Sequence, residues 1–349
     1  MTATLKDIAL RAGVSVKTVS NVVHGNIHVS EEKSRRVRAA LEELNYQPNL
    51  PARYLRTGRI GVLAFAIPDL RNPYFSDVGN AIVAAASEQS YTVLLDHTGG
   101  ERQPERLVVN GLRPHLIDGI ILNPLALEYE DLQPQQINVP LVLLGERFFD
   151  VPYDHVAINN VEAARLATHH LVQMGRQRIA AIGAQARLSG ATARLRLQGY
   201  TEALTAASLP LDPQLVVESV SYHRLNGAQA VQHLLSLKHP PDAIFCFNDL
   251  MALGAIRALH KAGLRVPEDV AVVGFDDIED GHFSTPSLTT IAPDKQQIGS
   301  VAVSLLLERI NGTLTGAPRR VDIPFHLVVR ESTAGVGATE KILAPEMPL

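Results

Sequence analysis

The chain has 349 residues, 46% of them hydrophobic, and its single cysteine, Cys246, excludes an internal disulfide and a cysteine-based zinc site. No run reaches the ~18 apolar residues of a membrane span, and the polar start lacks the apolar segment of an export signal, so a cytoplasmic protein is expected. Charge is uneven: residues 1–58 hold nine Lys and Arg against five Asp and Glu, whereas the remaining 291 carry 23 against 31. Attraction to phosphates through counterion release is therefore available to the head and largely denied to the rest.

Thr4 can cap a first helix in which Leu5, Ile8 and Ala9 share one face, and Gly13 suits the left-handed turn that ends it. Val14 can plug that turn, and Ser15 can start a second helix running to about His24, with Gly25 as its stop. Val19, Val22 and Val23 repeat at helical spacing and are expected to face a small core. Val16, Lys17, Thr18, Ser20 and Asn21 are then left on the outward surface, a face that suits a major groove. Val16, Lys17 and Asn21 are the candidates for base edges, Thr18 and Ser20 for phosphate oxygens. A third helix follows Ser30, with Glu31 and Glu32 in its first turn and an apolar stripe of Val37, Leu41 and Leu44.

Pro48 to Leu55 predicts a helix of barely two turns, in which Pro51 can take an early position and Ala52, Arg53, Tyr54 and Leu55 continue. A helix this short does not persist alone in water, so it needs a partner helix or DNA.

After Gly58 short apolar runs alternate with amphipathic stretches: IGVLAFAI, YTVLLD, GIIL and PLVLLG, then, after Asn160, RIAAIGA, LVVESV, AIFCFN and VAVVGFDD. Strands separated by helices imply two successive units built on parallel sheets covered on both faces. Ligands in such folds sit beyond the carboxyl ends of the strands. The strand-end loops offer Asp69, Asn72, Phe75, Asp96, His97, Asn123, Glu146 and Arg147 in the first unit. The second offers Arg196, Tyr222, Asn248, Asp249, Asp276 and Asp277. Acid, amide and guanidinium groups match neighbouring sugar hydroxyls, and Phe75 and Tyr222 can cover a sugar's C–H face.

The run AGVSVKTVSNVVHG, the PNLPARYL segment and the downstream GFDD and LTT resemble the lactose-repressor/galactose-repressor (LacI/GalR) family of bacterial regulators, over residues 4 to about 333. The resemblance implies a helix-turn-helix head over 1–47, a hinge over 48–58 and a two-lobed effector-binding and dimerisation domain of the periplasmic-binding-protein type over 59–333. Its two doubly wound parallel-sheet lobes would exchange chain three times, near Asn160, Thr290 and Ile323, giving one lobe of about 59–160 and 291–322 and another of about 161–290 and 323–333. Residues 334–349, mixed and without a heptad, are expected to be a flexible tail, and a homodimer is expected rather than a tetramer.

By the same resemblance, Leu55 would wedge a base step in the minor groove beside Ala52, and His28, Ser30 and Asn49 would contact phosphate. With Thr4 and Ser15 at the helix starts these complete the expected DNA contacts, to a near-palindromic double-stranded operator. Arg196 in RLQGY, Asn248 in FND and Asp276 in GFDD fall on effector-contacting positions; Asp69, Asn72, Phe75, Asn123, Arg147 and Tyr222 complete the expected effector set. Asn21 departs from the long side chain many relatives carry there, which leaves the operator sequence open.

The chain has no G-x-S-x-G elbow, no phosphate loop and no H-E-x-x-H, so no catalytic residue, metal or cofactor is expected. The expectation is a repressor of carbohydrate-utilisation genes released by a small sugar or sugar-derived effector. A regulator answering to a purine-type corepressor or a partner protein remains open. A transport-type sugar receptor has no use for residues 1–57, and a sugar-processing enzyme would need a site the motifs do not show.

Overall fold

The computed structural model describes residues 3–23, 29–46, 59–110, 116–134, 137, 139–148, 150–185 and 191–345. The described chain forms two compact units divided near Ile60. Among these residues no helix is long and apolar enough to cross a membrane.

The head contains α1 (Leu5–Ala12), α2 (Val16–Val23) and α3 (Glu31–Glu43). Thr4 opens α1 with a reciprocal cap: the Asp7 amide donates to its hydroxyl at 3.4 Å, and its own amide donates to the Asp7 carboxylate at 2.8 Å. Such caps contribute about 1 kcal/mol. Gly13 ends the helix at φ +64°, and Ile8, Ala9, Ala12, Val19, Val37 and Ala40 form the buried core. Val22, Val23, Leu41 and Leu44 pack against its edge, so Ala40 takes a central place the sequence reading gave to larger neighbours. The expected end of α2 at His24, the Gly25 stop, His28 and the whole hinge, including Asn49, Ala52 and Leu55, lie outside the described residues.

The larger unit holds two sheets. The first has strand order β11-β5-β4-β3-β1-β2, with β1 Val62–Ile67, β2 Thr92–His97, β3 Gly119–Leu122, β4 Leu141–Leu144, β5 Asp154–Ala157 and β11 Arg320–Asp322. All its pairings are parallel. α4 (Pro73–Glu88), α5 (Arg102–Val109) and α11 (Lys295–Asn311) belong to this lobe. Helix α11 lies so close to the sheet that a Cβ on Gly119 would come within 2.9 Å of Leu306.

The second sheet has order β13-β12-β10-β9-β8-β6-β7, with β6 Ile179–Ala184, β7 Val216–Glu218, β8 Ala243–Cys246, β9 Ala271–Phe275, β10 Thr289–Pro293, β12 Phe325–Val329 and β13 Lys341–Leu343. Its helices are α6 (Asn160–Gln173), α7 (Ala191–Ala206), α8 (Arg224–Leu235), α9 (Asp249–Lys261), α10 (Glu279–His282) and α12 (Glu331–Ala334). Cys246 is buried in β8, between the two phenylalanines that flank it.

Three features depart from the sequence reading. Strand β10 runs in the second sheet through Pro293, so the second crossing lies at Asp294 rather than Thr290. Thr289 and Thr290 are anchored in that lobe by hydrogen bonds to Arg330 O, at 3.0 Å, and to the Asp249 carboxylate, at 2.6 Å. The expected flexible tail includes β13, antiparallel to β12 from Lys341 to Leu343, and Glu340 pairs with Arg330 at 2.6 Å. Strand β2, finally, is covered only in part: Val93 packs against the core, but Leu94 is 39% and Leu95 52% exposed on the outer strand of the sheet.

Candidate functional site

The carboxyl ends of both sheets open onto one cleft of about 730 Å³. All nine expected effector residues line it: Asp69, Asn72, Phe75, Asn123 and Arg147 from the first lobe, Arg196, Tyr222, Asn248 and Asp276 from the second.

At its floor lies Arg196, a buried residue of α7. Its Nε donates to Asn160 Oδ1 at 2.7 Å, Nη1 donates to the Phe247 carbonyl, and the guanidinium stacks 3.4 Å from the Phe275 ring centroid. These contacts leave Nη2 without a hydrogen bond among the described residues. Asp276 follows β9 with φ +118°, a left-handed geometry that points to a positional requirement at this turn. Its carboxylate is buried and accepts no side-chain or backbone hydrogen bond among the described residues. Burial, then the nearby Asp249 and Asp77 charges, push its pKa up to about 8 against the pull of Arg196 and Lys295. Such a carboxylate lacks a donor, and a ligand hydroxyl supplies one.

Glu146, which follows β4, faces the same space. It accepts from the Ile158 amide at 3.1 Å and from the Thr192 hydroxyl of the second lobe at 3.2 Å. Burial raises its pKa, and the Ile158 N–H and Arg196 partly offset the rise. Glu146, Thr192, Tyr74 and Asn160 line the cleft without belonging to the expected set. Glu146 stood among the strand-end acids of the sequence, but nothing there separates it from Asp96.

Several expected contacts have another task. Asn248 caps α9 through Met251 N at 3.0 Å, while its amide nitrogen donates to Tyr222 O at 3.0 Å, so it positions the aromatic wall. Tyr222 is itself tied by its hydroxyl to Gly183 O at 2.7 Å. Asn72 caps α4 through Tyr74 N at 3.1 Å, and Phe75 packs edge-on against Tyr74 at 5.3 Å. Asp249 is structural, accepting from Thr290 and from Ile278 N, as is Asp277, which pairs with Arg330 at 2.8 Å.

Two further bridges join the lobes. At the mouth, His223 Nε2 of the second lobe lies 3.0 Å from an Arg71 nitrogen and 3.2 Å from the Asp69 carboxylate. Behind the cleft, Lys295 Nζ at the start of α11 pairs with Asp77 at 2.7 Å and donates to the carbonyls of Asp276 and Asp277 at 3.1 and 2.7 Å. Lys295 thereby ties the Asp276 turn to the first lobe.

The Asp276 shift has a measurable consequence. Its pKa in the fold lies above the ordinary 3.8, so the contribution favours the fold at low pH and is lost as pH rises from about 4 to about 8. A ligand hydroxyl donating to the ionised carboxylate should reverse that shift and expel a proton. Calorimetric titrations at pH 7 in buffers of different ionisation enthalpy should then show proton release on effector binding, absent in Asp276→Asn.

In the head, Val16, Lys17 and Ser15 are exposed at the start of α2, with Thr18, Ser20 and Asn21 half-buried. Ser15 Oγ accepts from the Thr18 amide at 3.1 Å and shares a hydrogen bond with the Thr18 hydroxyl at 2.9 Å, so both hydroxyls are held at the helix start. Ser30 precedes α3, exposed and without a side-chain capping bond.

Residues 4–49 match the lacI family of bacterial regulatory proteins, and residues 168–333 match a periplasmic binding protein-like domain. The chain is 37% identical over 334 residues to the ribose operon repressor of Halalkalibacterium halodurans, covering 95% of this chain and 97% of that protein. This chain belongs to the lacI family. As a lacI-family protein it is a DNA-binding transcriptional regulator, with a helix-turn-helix head and two parallel-sheet lobes. Its fold is similar to the lac repressor dimer bound to operator and the anti-inducer ONPF, with TM-score 0.78, 32% identity and coverage of 95% of this chain and 99% of that one. It is also similar to the transcriptional regulator CelR in complex with cellobiose, with TM-score 0.69, 33% identity and coverage of 95% and 99%.

Proposed function

We propose that this lacI-family regulator represses carbohydrate-utilisation genes from a near-palindromic operator and is released when a small sugar occupies the cleft. The observation that carries the reading is the buried, donorless Asp276 carboxylate under the pull of Arg196, in a cleft that Glu146 and the side chains of Phe75 and Tyr222 also line. Acceptors for paired hydroxyls with aromatic cover for a C–H face are what a sugar requires. The relatives that regulate a ribose operon or bind cellobiose support the same class.

The reading assigns Val16, Lys17 and Asn21 to base edges, and Thr4, Ser15, Thr18, Ser20 and Ser30 to the DNA backbone, with His28, Asn49, Ala52 and Leu55 keeping the roles the family implies. Two heads serve two half-sites, and the uncovered Leu94 and Leu95 of β2 with Val83 of α4 supply apolar surface for a homodimer. The protein acts in the cytoplasm, binding its effector without turnover. Linkage makes effector and operator oppose each other by typically ~1 to 3 kcal/mol.

Gel shifts on the DNA flanking its own gene, repeated with a panel of sugars, nucleobases and phosphosugars, test operator, ligand class and sign together. Lys17→Ala should weaken specific operator binding by ~1–3 kcal/mol, about 5- to 150-fold, without changing sugar affinity. Asp276→Ala should do the reverse. Tighter operator binding on adding a purine would replace induction by corepression.

A further inference from the structure

We infer that Lys295 is a positioning residue that converts occupancy of the Asp276 turn into movement of the first lobe, and so sets how strongly effector and operator oppose each other; this rests on the sugar reading above. Lys295 opens α11, a helix locked into the first lobe. A Cβ on Gly299, one turn on, would lie 2.6 Å from the Ala81 Cβ of α4, and one on Gly119 would lie 2.9 Å from Leu306, so α4, α11 and β3 move as one body. The Lys295 side chain is 17% exposed, and an ammonium has three protons to donate. One goes to Asp77 of α4, at 2.7 Å, which anchors the ammonium in the first lobe. The other two cross to the second lobe, to the carbonyls of Asp276 at 3.1 Å and Asp277 at 2.7 Å.

The receiving turn holds a costly backbone conformation, with Asp276 at φ +118° and Asp277 at φ +51°, which persists because its surroundings over-determine it. Arg330 clamps one side, pairing with the Asp277 carboxylate at 2.8 Å and donating to Leu288 O at 3.1 Å. Lys295 clamps the other. Asp276 lines the cleft while its carbonyl accepts from Lys295, so a rotation of this residue toward a ligand moves the atom that the ammonium holds. The other two bridges described between the lobes stand inside the cleft: Glu146 with Thr192, and His223 with Asp69 and Arg71, all line it, and an incoming ligand competes for them. Lys295 borders a separate cavity of about 440 Å³ instead, shared with Asp77, Asp277 and His326, which gives the lobes room to turn against each other there. Of these three bridges, only that of Lys295 stays in place when the cleft fills.

Calorimetry on the full-length protein with glucose, ribose, cellobiose and glucose 6-phosphate, without and with the operator DNA flanking its gene, measures the coupling as the ratio of the two sugar affinities. The wild-type ratio should lie at ~5 to 150. Lys295→Met should cut it by about 2- to 30-fold. Asp77→Ala should cut it in the same direction but by less, since Lys295 keeps its two carbonyls, and should cut it no further in the Lys295→Met background, because the two residues act through one bridge. Melting temperatures show that each variant is folded, and a residue that only stabilised the fold would lower them without moving the ratio. An unchanged ratio in Lys295→Met, or a further loss from Asp77→Ala in that background, would overturn the role of Lys295 and leave the sugar reading standing. If no sugar binds the wild type, or its ratio is one, both fall.

Discussion

Arg196→Met is expected to make the regulator blind to its effector while leaving it on its operator. The guanidinium is the cation that most favours an ionised Asp276 and is fixed on three sides, by Asn160, the Phe247 carbonyl and the Phe275 ring. Methionine keeps some of the stem's bulk and stacking but removes every donor. Truncating one partner of a buried, hydrogen-bonded charge constellation costs ~2–5 kcal/mol, which at 1.4 kcal/mol per decade is a loss of roughly 30-fold or more in sugar affinity. Asn160 and the Phe247 carbonyl would also lose a partner, at about 1–3 kcal/mol of stability. Calorimetry and gel shifts on the same preparation check this: sugar affinity should collapse while operator affinity, measured without sugar, stays within about threefold. Unchanged sugar affinity would mean that the cleft's polar floor does not read the ligand.

Gly254→Ala should cost more stability than alanine at any other described glycine. A Cβ at 254 on α9 would lie 1.8 Å from the Arg224 carbonyl oxygen on α8, and one at Gly227 on α8 would lie 2.0 Å from Met251 O on α9. The two glycines let the helix backbones touch reciprocally, and neither clash can be relieved by rotating a side chain. Overpacking costs typically 1–3 kcal/mol where side chains can yield; here backbone must move, so about 3 kcal/mol or more is expected, a fall of roughly 6–12 °C in melting temperature. The displaced ends carry Tyr222 and His223 before α8 and Asn248 before α9, so the cleft wall should loosen too. Gly175→Ala is the control: at φ +81° with nothing within 4 Å of its Cβ, it should cost only the ~1 kcal/mol of a left-handed alanine. Equal melting temperatures for the two variants would refute the close-packing argument.

Legibility divided along a physical line. The head could be read because its signals are local: Thr4 and Asp7 stand three residues apart, Gly13 ends α1 at a positive φ, and Val19 returns to the core one turn before Val22 and Val23. Strands β5, β10, β11 and β12 were not among the short apolar runs between helices, but β1 to β4 and β6 to β9 announced themselves as such runs. Their carboxyl ends pointed to the loops that line the cleft.

The misplaced pieces depend on partners far along the chain. KIL at 341–343 is exposed on every side chain, so it has no alternation to betray β13; only backbone pairing with β12 makes it a strand. Thr289 and Thr290 stay in the second lobe because Arg330 and Asp249 hold them, 41 residues away in either direction.

What the sequence by itself determined about this protein is its class: a basic helical head that reads DNA, joined to two α/β units with polar groups at their strand ends. Caps, periodicities and charge act over a few residues, and a few residues suffice to show them. Only the tertiary structure left the Asp276 carboxylate without a donor, brought Glu146 into the same cleft and gave Asn248 a helix to cap. Burial and the exact partner of each polar atom are properties of the folded whole, and those properties decide whether a carboxylate is spent on the protein or left for a ligand.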